Sequence, residues 1–116
     1  MKLYGIKNCN TVKKALDWCG AQGLEYEFHD YKKTPPDAIV LQAAMKRWGW
    51  EKVINRAGMT WRKLSDDEKA AVADEKTALA LAMEKPSVIK RPIVVDKSGL
   101  PVLIGFKEEE YQEIIG

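Results

Sequence analysis

Apolar and polar positions along this chain follow two periods, and the switches between them mark out its elements. A short apolar run, Leu3-Tyr4-Gly5-Ile6, gives a strand from Lys2 to Ile6. Helical spacing follows from about Thr11 to Ala21, closed by Gly20 and Gly23. Leu24 to Tyr31 then alternates aromatic or apolar with polar residues, the period-two signature of a second strand. After Thr34-Pro35-Pro36, the residues Ile39, Val40, Ala43, Ala44 and Trp48 recur at three and four. This spacing predicts a helix with proline pre-set for its first turn and Gly49 at its end. A shorter helix is expected from Trp50 to Asn55, and Ser65-Asp66-Asp67-Glu68 reads as a capping box opening another that ends near Pro86. Two apolar runs, Arg91–Asp96 and Leu100–Ile104, flank Lys97-Ser98-Gly99 and predict an antiparallel hairpin around a tight turn. Gly105 leads into a last helix from about Lys107 to Ile115.

The order is strand-helix-strand, helices, strand-strand-helix. Strand, helix, strand with short connections fits a right-handed crossover between parallel strands. The expected fold class is therefore α/β, a thioredoxin-like arrangement with a four-stranded mixed sheet. A helical insertion over about residues 36–86 separates the βαβ and ββα parts, and residues 1–116 form a single domain. An apolar content of 46% supports one core. Lys+Arg 19 against Asp+Glu 17 leaves a net charge of +2, with no global field to draw in nucleic acid or an anionic membrane. No apolar run approaches the roughly 20 residues a membrane span requires, so a cytoplasmic, monomeric protein is expected.

The chemistry centres on Cys9, at the junction between the first strand and the first helix. There, backbone N–H groups lack intrahelical partners and the helix dipole is positive, a setting that favours a thiolate. Lys7 and Lys13 are expected to act in the same direction. Asn8 and Asn10 flank the cysteine with turn-forming polar residues. The other cysteine, Cys19, lies beside Ala15, Leu16 and Trp18 on the expected buried side of the helix. It reads as structural, beyond disulfide reach of Cys9. One histidine, His29, and two separated thiols give no metal-site spacing, so no metal is expected. Val12 stands three residues after Cys9, so there is no CxxC, and an external thiol must release any adduct formed at Cys9. Glutathione is the candidate co-substrate, with no bound cofactor. Arg56, in the loop-like Asn55-Arg56-Ala57-Gly58, has the forked guanidinium suited to anions. Arg91-Pro92 opens a strand where a cis proline could present backbone to a ligand.

YGIKNCNTVKKA, INRAGMTWRKL, KRPIVVD and VLIGFKEEEY together resemble the arsenate reductase ArsC, Spx and YffB family, most closely its YffB branch, over essentially the full length. The resemblance implies a thioredoxin-like fold with a helical insert, a catalytic cysteine at Cys9 and a cis proline at Pro92. It also implies oxyanion-binding and thiolate-stabilising arginines at Arg56 and Arg91. The family's third arginine falls at Gly105, which argues against efficient arsenate reduction, and Val12 removes the CxxC switch that Spx often carries. The leading expectation is a glutathione-dependent thiol reductase. Cys9 attacks; Asn8, Asn10, Thr11, Arg56, Arg91 and Pro92 surround the substrate, glutathione or an oxyanion; and glutaredoxin is a further partner. The alternatives are a glutathione- or glutaredoxin-coupled arsenate reductase, and a non-enzymatic Spx-like regulator that binds RNA polymerase.

Overall fold

A computed structural model describes residues Met1–Gly116. The strands are β1 (Lys2–Gly5), β2 (Glu27–Asp30), β3 (Ile93–Val95) and β4 (Pro101–Ile104), in one sheet ordered β2-β1-β3-β4. The first pair is parallel and the other two antiparallel, so the sheet is mixed and the fold α/β. This is the thioredoxin-like topology the element order predicts. β2 is shorter than the alternation from Leu24 suggests, because its partner β1 offers only the four positions Lys2 to Gly5. The β3–β4 connection is the tight turn expected at Lys97-Ser98-Gly99: the Gly99 N–H donates to the Asp96 carbonyl at 3.1 Å and the Asp96 N–H to the Leu100 carbonyl at 2.9 Å. One Asp96 carboxylate oxygen accepts from the backbone N–H of Ser98 and of Leu100 and from the Ser98 hydroxyl, closing the loop locally.

Two compact units divide the chain, one comprising Met1–Thr34 with Arg91–Gly116 and the other Pro35–Lys90. The first holds the sheet with α1 (Asn10–Ala21) and a C-terminal helix, Glu108–Ile115. Leu3 and Val94 from the sheet pack with Ala15, Trp18 and Cys19 of α1 and with Leu103 and Tyr111. The aromatic ring of Tyr111 meets Trp18 edge-on at 5.7 Å and Phe106 at 4.7 Å. Its hydroxyl donates to the Gly105 carbonyl at 2.6 Å within the core.

The second unit is helical: α2 (Ala38–Trp48), α3 (Trp50–Val53), α4 (Met59–Arg62), α5 (Asp66–Ala70) and α6 (Glu75–Glu84), then a 3₁₀ turn at Pro86–Val88. The C-terminal helix Glu108–Ile115 is thus α7. Asp37, rather than proline, starts α2, accepting from the N–H groups of Ile39 and Val40. Ser65 and Glu68 form the reciprocal capping box the sequence suggests, but the helix it opens ends at Ala70. A second box, Asp74 with Thr77, starts α6 afresh, so the single long helix expected to end near Pro86 is two.

Candidate active site

Cys9 is the N-cap of α1, with extended backbone (φ −141°, ψ 123°) and a carbonyl that accepts from Lys13 N–H at 2.9 Å. In the cap numbering Thr11 and Val12 are the second and third helical residues, whose N–H groups an N-cap side chain faces. The thiol is half-buried. Burial is the largest single influence and opposes ionisation. It is outweighed by the Val12 N–H, the charge of Arg91, the Thr11 N–H and an Arg91 side-chain hydrogen bond, so Cys9 is more acidic than an ordinary thiol.

The cation beside the sulfur is Arg91, and neither Lys7 nor Lys13, the two lysines nearest in sequence, is among the groups that act on it. The sheet register explains why. β3 runs antiparallel to β1 with Ile93 opposite Tyr4, so the two residues before Ile93 reach the end of β1 from which the Cys9 loop departs. Arg91 is half-buried there, and the Arg91–Pro92 peptide bond is cis, with Pro92 fully buried. Gly105 stands beside this turn. Its N–H donates to the Pro92 carbonyl at 2.8 Å, its own carbonyl takes the Tyr111 hydroxyl, and its φ is +74°. Gly105, where the resemblance implies a third arginine, is thus a left-handed glycine with both backbone groups engaged.

Asn8, Asn10 and Thr11 are exposed around Cys9; the Thr11 backbone N–H favours its thiolate, although the Cys9 side chain makes no cap hydrogen bond with the helix. The apolar side chain of Val12 gives no sequence signal of a site, but counting three positions from an N-cap cysteine identifies its amide. Arg56 lies in the helical unit, exposed, with its guanidinium 5.7 Å from the centre of the Trp50 ring. Cys19 is fully buried, and burial pushes its thiol up, opposite to Cys9. His29 lies in an aromatic group with Tyr4 and Tyr31, its Nε2 3.2 Å from the Thr34 carbonyl oxygen. No group of three or more His, Cys, Asp or Glu side chains is placed to hold a metal ion, and no helix is long and apolar enough to cross a membrane.

Comparison with known proteins places this geometry. A solved structure described as YffB superposes with a TM-score of 0.90 at 40% identity, covering 99% of this chain and 98% of that one. An arsenate reductase (ArsC) related protein from Brucella melitensis is 42% identical with a TM-score of 0.72, over 97% and 92% of the two chains. The global transcriptional regulator Spx of Enterococcus faecalis is 26% identical over 99% of this chain and 86% of its own. Residues 4–114 match the ArsC family as a whole. With the mixed sheet, the cysteine at the head of α1 and the cis proline in place, the chain belongs to the ArsC family.

Proposed function

We propose that this protein is a single-cysteine thiol reductase that uses glutathione. The observation that carries the reading is the contrast between its two thiols: Cys9 is partly exposed and acidified, whereas Cys19 is sealed in the core with its acidity suppressed. The Cys9 thiolate attacks the glutathionyl sulfur of a mixed disulfide. The old S–S bond breaks, and the substrate sulfur leaves with the electron pair and takes a proton from solvent. A second glutathione thiolate attacks the glutathionyl sulfur bound to Cys9, releasing oxidised glutathione and regenerating the Cys9 thiolate. Across the cycle the mixed disulfide and one glutathione thiol become the substrate thiol and oxidised glutathione, so the substrate sulfur is reduced and the incoming glutathione sulfur is oxidised by the same amount.

Arg91 and the Thr11 and Val12 amides serve both steps. They favour ionisation of Cys9 for attack and make it a better leaving group in the second. Asn8, Asn10 and Pro92 frame the sulfur. An arsenate reading loses the cation at Gly105, whose backbone is already committed to Pro92 and Tyr111. The Spx likeness adds no switch, since Val12 occupies the second CxxC position. The test is intact-mass analysis after exposure to oxidised glutathione, paired with glutathione-dependent turnover of a mixed disulfide. One adduct is expected, at Cys9, and turnover should vanish in Cys9→Ser. An adduct at Cys19, or equal turnover in the variant, overturns the proposal.

A further inference from the structure

The sheet unit has a second feature that the Cys9 site does not use: a cleft of about 420 Å³ along β2, lined by Lys2, Lys7, Glu27, Phe28, His29, Asp30, Lys33 and Thr34. Its volume falls within the range of small-ligand sites, roughly 300–1,000 Å³. β2 is an edge strand, paired only with β1. The N–H of Glu27 donates to Met1 and that of Tyr31 to Gly5, so the odd-numbered residues bond inward. By alternation Phe28 turns its backbone N–H and carbonyl away from β1, towards the open edge. The cleft therefore combines a strand edge fit to pair with a short peptide and ionic groups of both signs.

The charges define the ligand further. Three ammonium groups (Lys2, Lys7, Lys33) oppose two carboxylates (Glu27, Asp30). Lys7 and Lys33 follow the C-terminal ends of the parallel strands β1 and β2, where the Cys9 loop begins, while Lys2 and Glu27 are paired at the other end. The four paired residues span about 10 Å along the edge, with Lys7 and Lys33 two and three residues beyond them. Glutathione is an extended tripeptide with a carboxylate at each end and one ammonium group, the inverse of this charge pattern in sign and in excess. We propose that the β2-edge cleft is the seat of the glutathionyl group. One ligand carboxylate lies between Lys7 and Lys33, the other reaches Lys2, and the ligand ammonium is met by Glu27. This inference rests on the glutathione reading of Cys9 for its ligand, and on the cleft alone for its place.

The experiment uses S-methylglutathione, which cannot react with Cys9, followed by amide chemical shifts of the full chain. Saturable shifts are expected at Lys7, Phe28 and Lys33. The double variant Lys7→Gln/Lys33→Gln should weaken binding about tenfold, as expected for loss of hydrogen bonds to a charged group. Its rate of adduct formation with oxidised glutathione should fall by a similar factor, while its rate with the neutral bis(2-hydroxyethyl) disulfide stays within about twofold, since Lys7 is not among the groups acting on the sulfur. Shifts confined to residues outside the cleft, or equal slowing with both disulfides, overturn the cleft assignment. Glutathione turnover without cleft shifts overturns the cleft and leaves the reductase reading standing. Cleft shifts without turnover do the opposite.

Discussion

Gly5→Ala tests how the sheet holds the thiolate. A Cβ at residue 5 would lie 2.9 Å from Val12 Cγ2, and 3.7 Å from both Val12 Cγ1 and Phe28 Cε1. Carbon contacts are comfortable from about 3.5 Å, so the first turn of α1 must retreat by about 0.6 Å. Rotating Val12 gives no escape. Both its methyls face the glycine, and a β-branched side chain in a helix is confined to essentially one rotamer. Overpacking of this kind costs about 1–3 kcal/mol, which for a chain of 116 residues lowers Tm by about 4–12 °C. The displaced turn carries the Val12 amide that favours the Cys9 thiolate, so the alkylation rate of Cys9 should reach its midpoint at higher pH in the variant. Val12→Ala alone opens a cavity costing about 2 kcal/mol. Combined with Gly5→Ala it makes room for the new methyl and keeps the backbone amide, so the double variant should lose at least about 1 kcal/mol less than the sum of the singles. Its alkylation profile should also return towards that of the parent. Thermal melts and iodoacetamide kinetics across pH measure both effects; additive stability losses, or an unmoved profile in Gly5→Ala, would refute the coupling.

Arg91→Gln should also move the Cys9 alkylation midpoint to higher pH and slow the reaction near neutrality, and added salt should narrow the gap between parent and variant. The linked stability has a definite sign. Because folding lowers the Cys9 value, the parent gains stability as pH rises through that value and keeps it above the ordinary thiol range, so the variant's deficit from this term appears in alkaline melts and is absent in acidic ones. Tyr111→Phe leaves the Gly105 carbonyl without its buried donor and should cost about 1–3 kcal/mol in urea denaturation; an unchanged midpoint would show that the 2.6 Å bond contributes nothing net. Asp37→Ala removes the acceptor for two N–H groups at the start of α2 and should cost about 1 kcal/mol, read as a loss of Tm, with Asp37→Asn restoring most of it.

What could be read from the sequence follows what local spacing encodes. The period change between Ile6 and Thr11, the alternation up to Tyr31 and the paired apolar runs around Ser98 mark the sheet unit, because each depends on neighbours within a few residues. The helical unit carries weaker local signals. α4 is only Met59–Arg62, too short to show a period, and the break before α6 is made by Asp74 with Thr77 rather than by the Glu or Gln that a capping-box scan seeks. The charge beside Cys9 could not be read from proximity in sequence. Lys7 and Lys13 are near in number, whereas Arg91 arrives through the β1–β3 register, and only the family resemblance pointed to it.

The two thiols show why a second cysteine on the same helix does not make a dithiol enzyme. Ten residues along an α-helix correspond to about 15 Å of rise, well beyond the span of a disulfide. Cys19 is also enclosed with Trp18, Tyr111, Leu3 and Leu103, so bringing it to Cys9 would mean taking α1 off the sheet and exposing those side chains. Burial suppresses its ionisation as well, so even a transient opening would offer a thiol poorly prepared for attack. An adduct on Cys9 therefore has no partner within its own helix. Under the proposed reductase reading, resolution falls to a thiol from solution, and the groups that acidify Cys9 would also ease its departure when that thiol arrives.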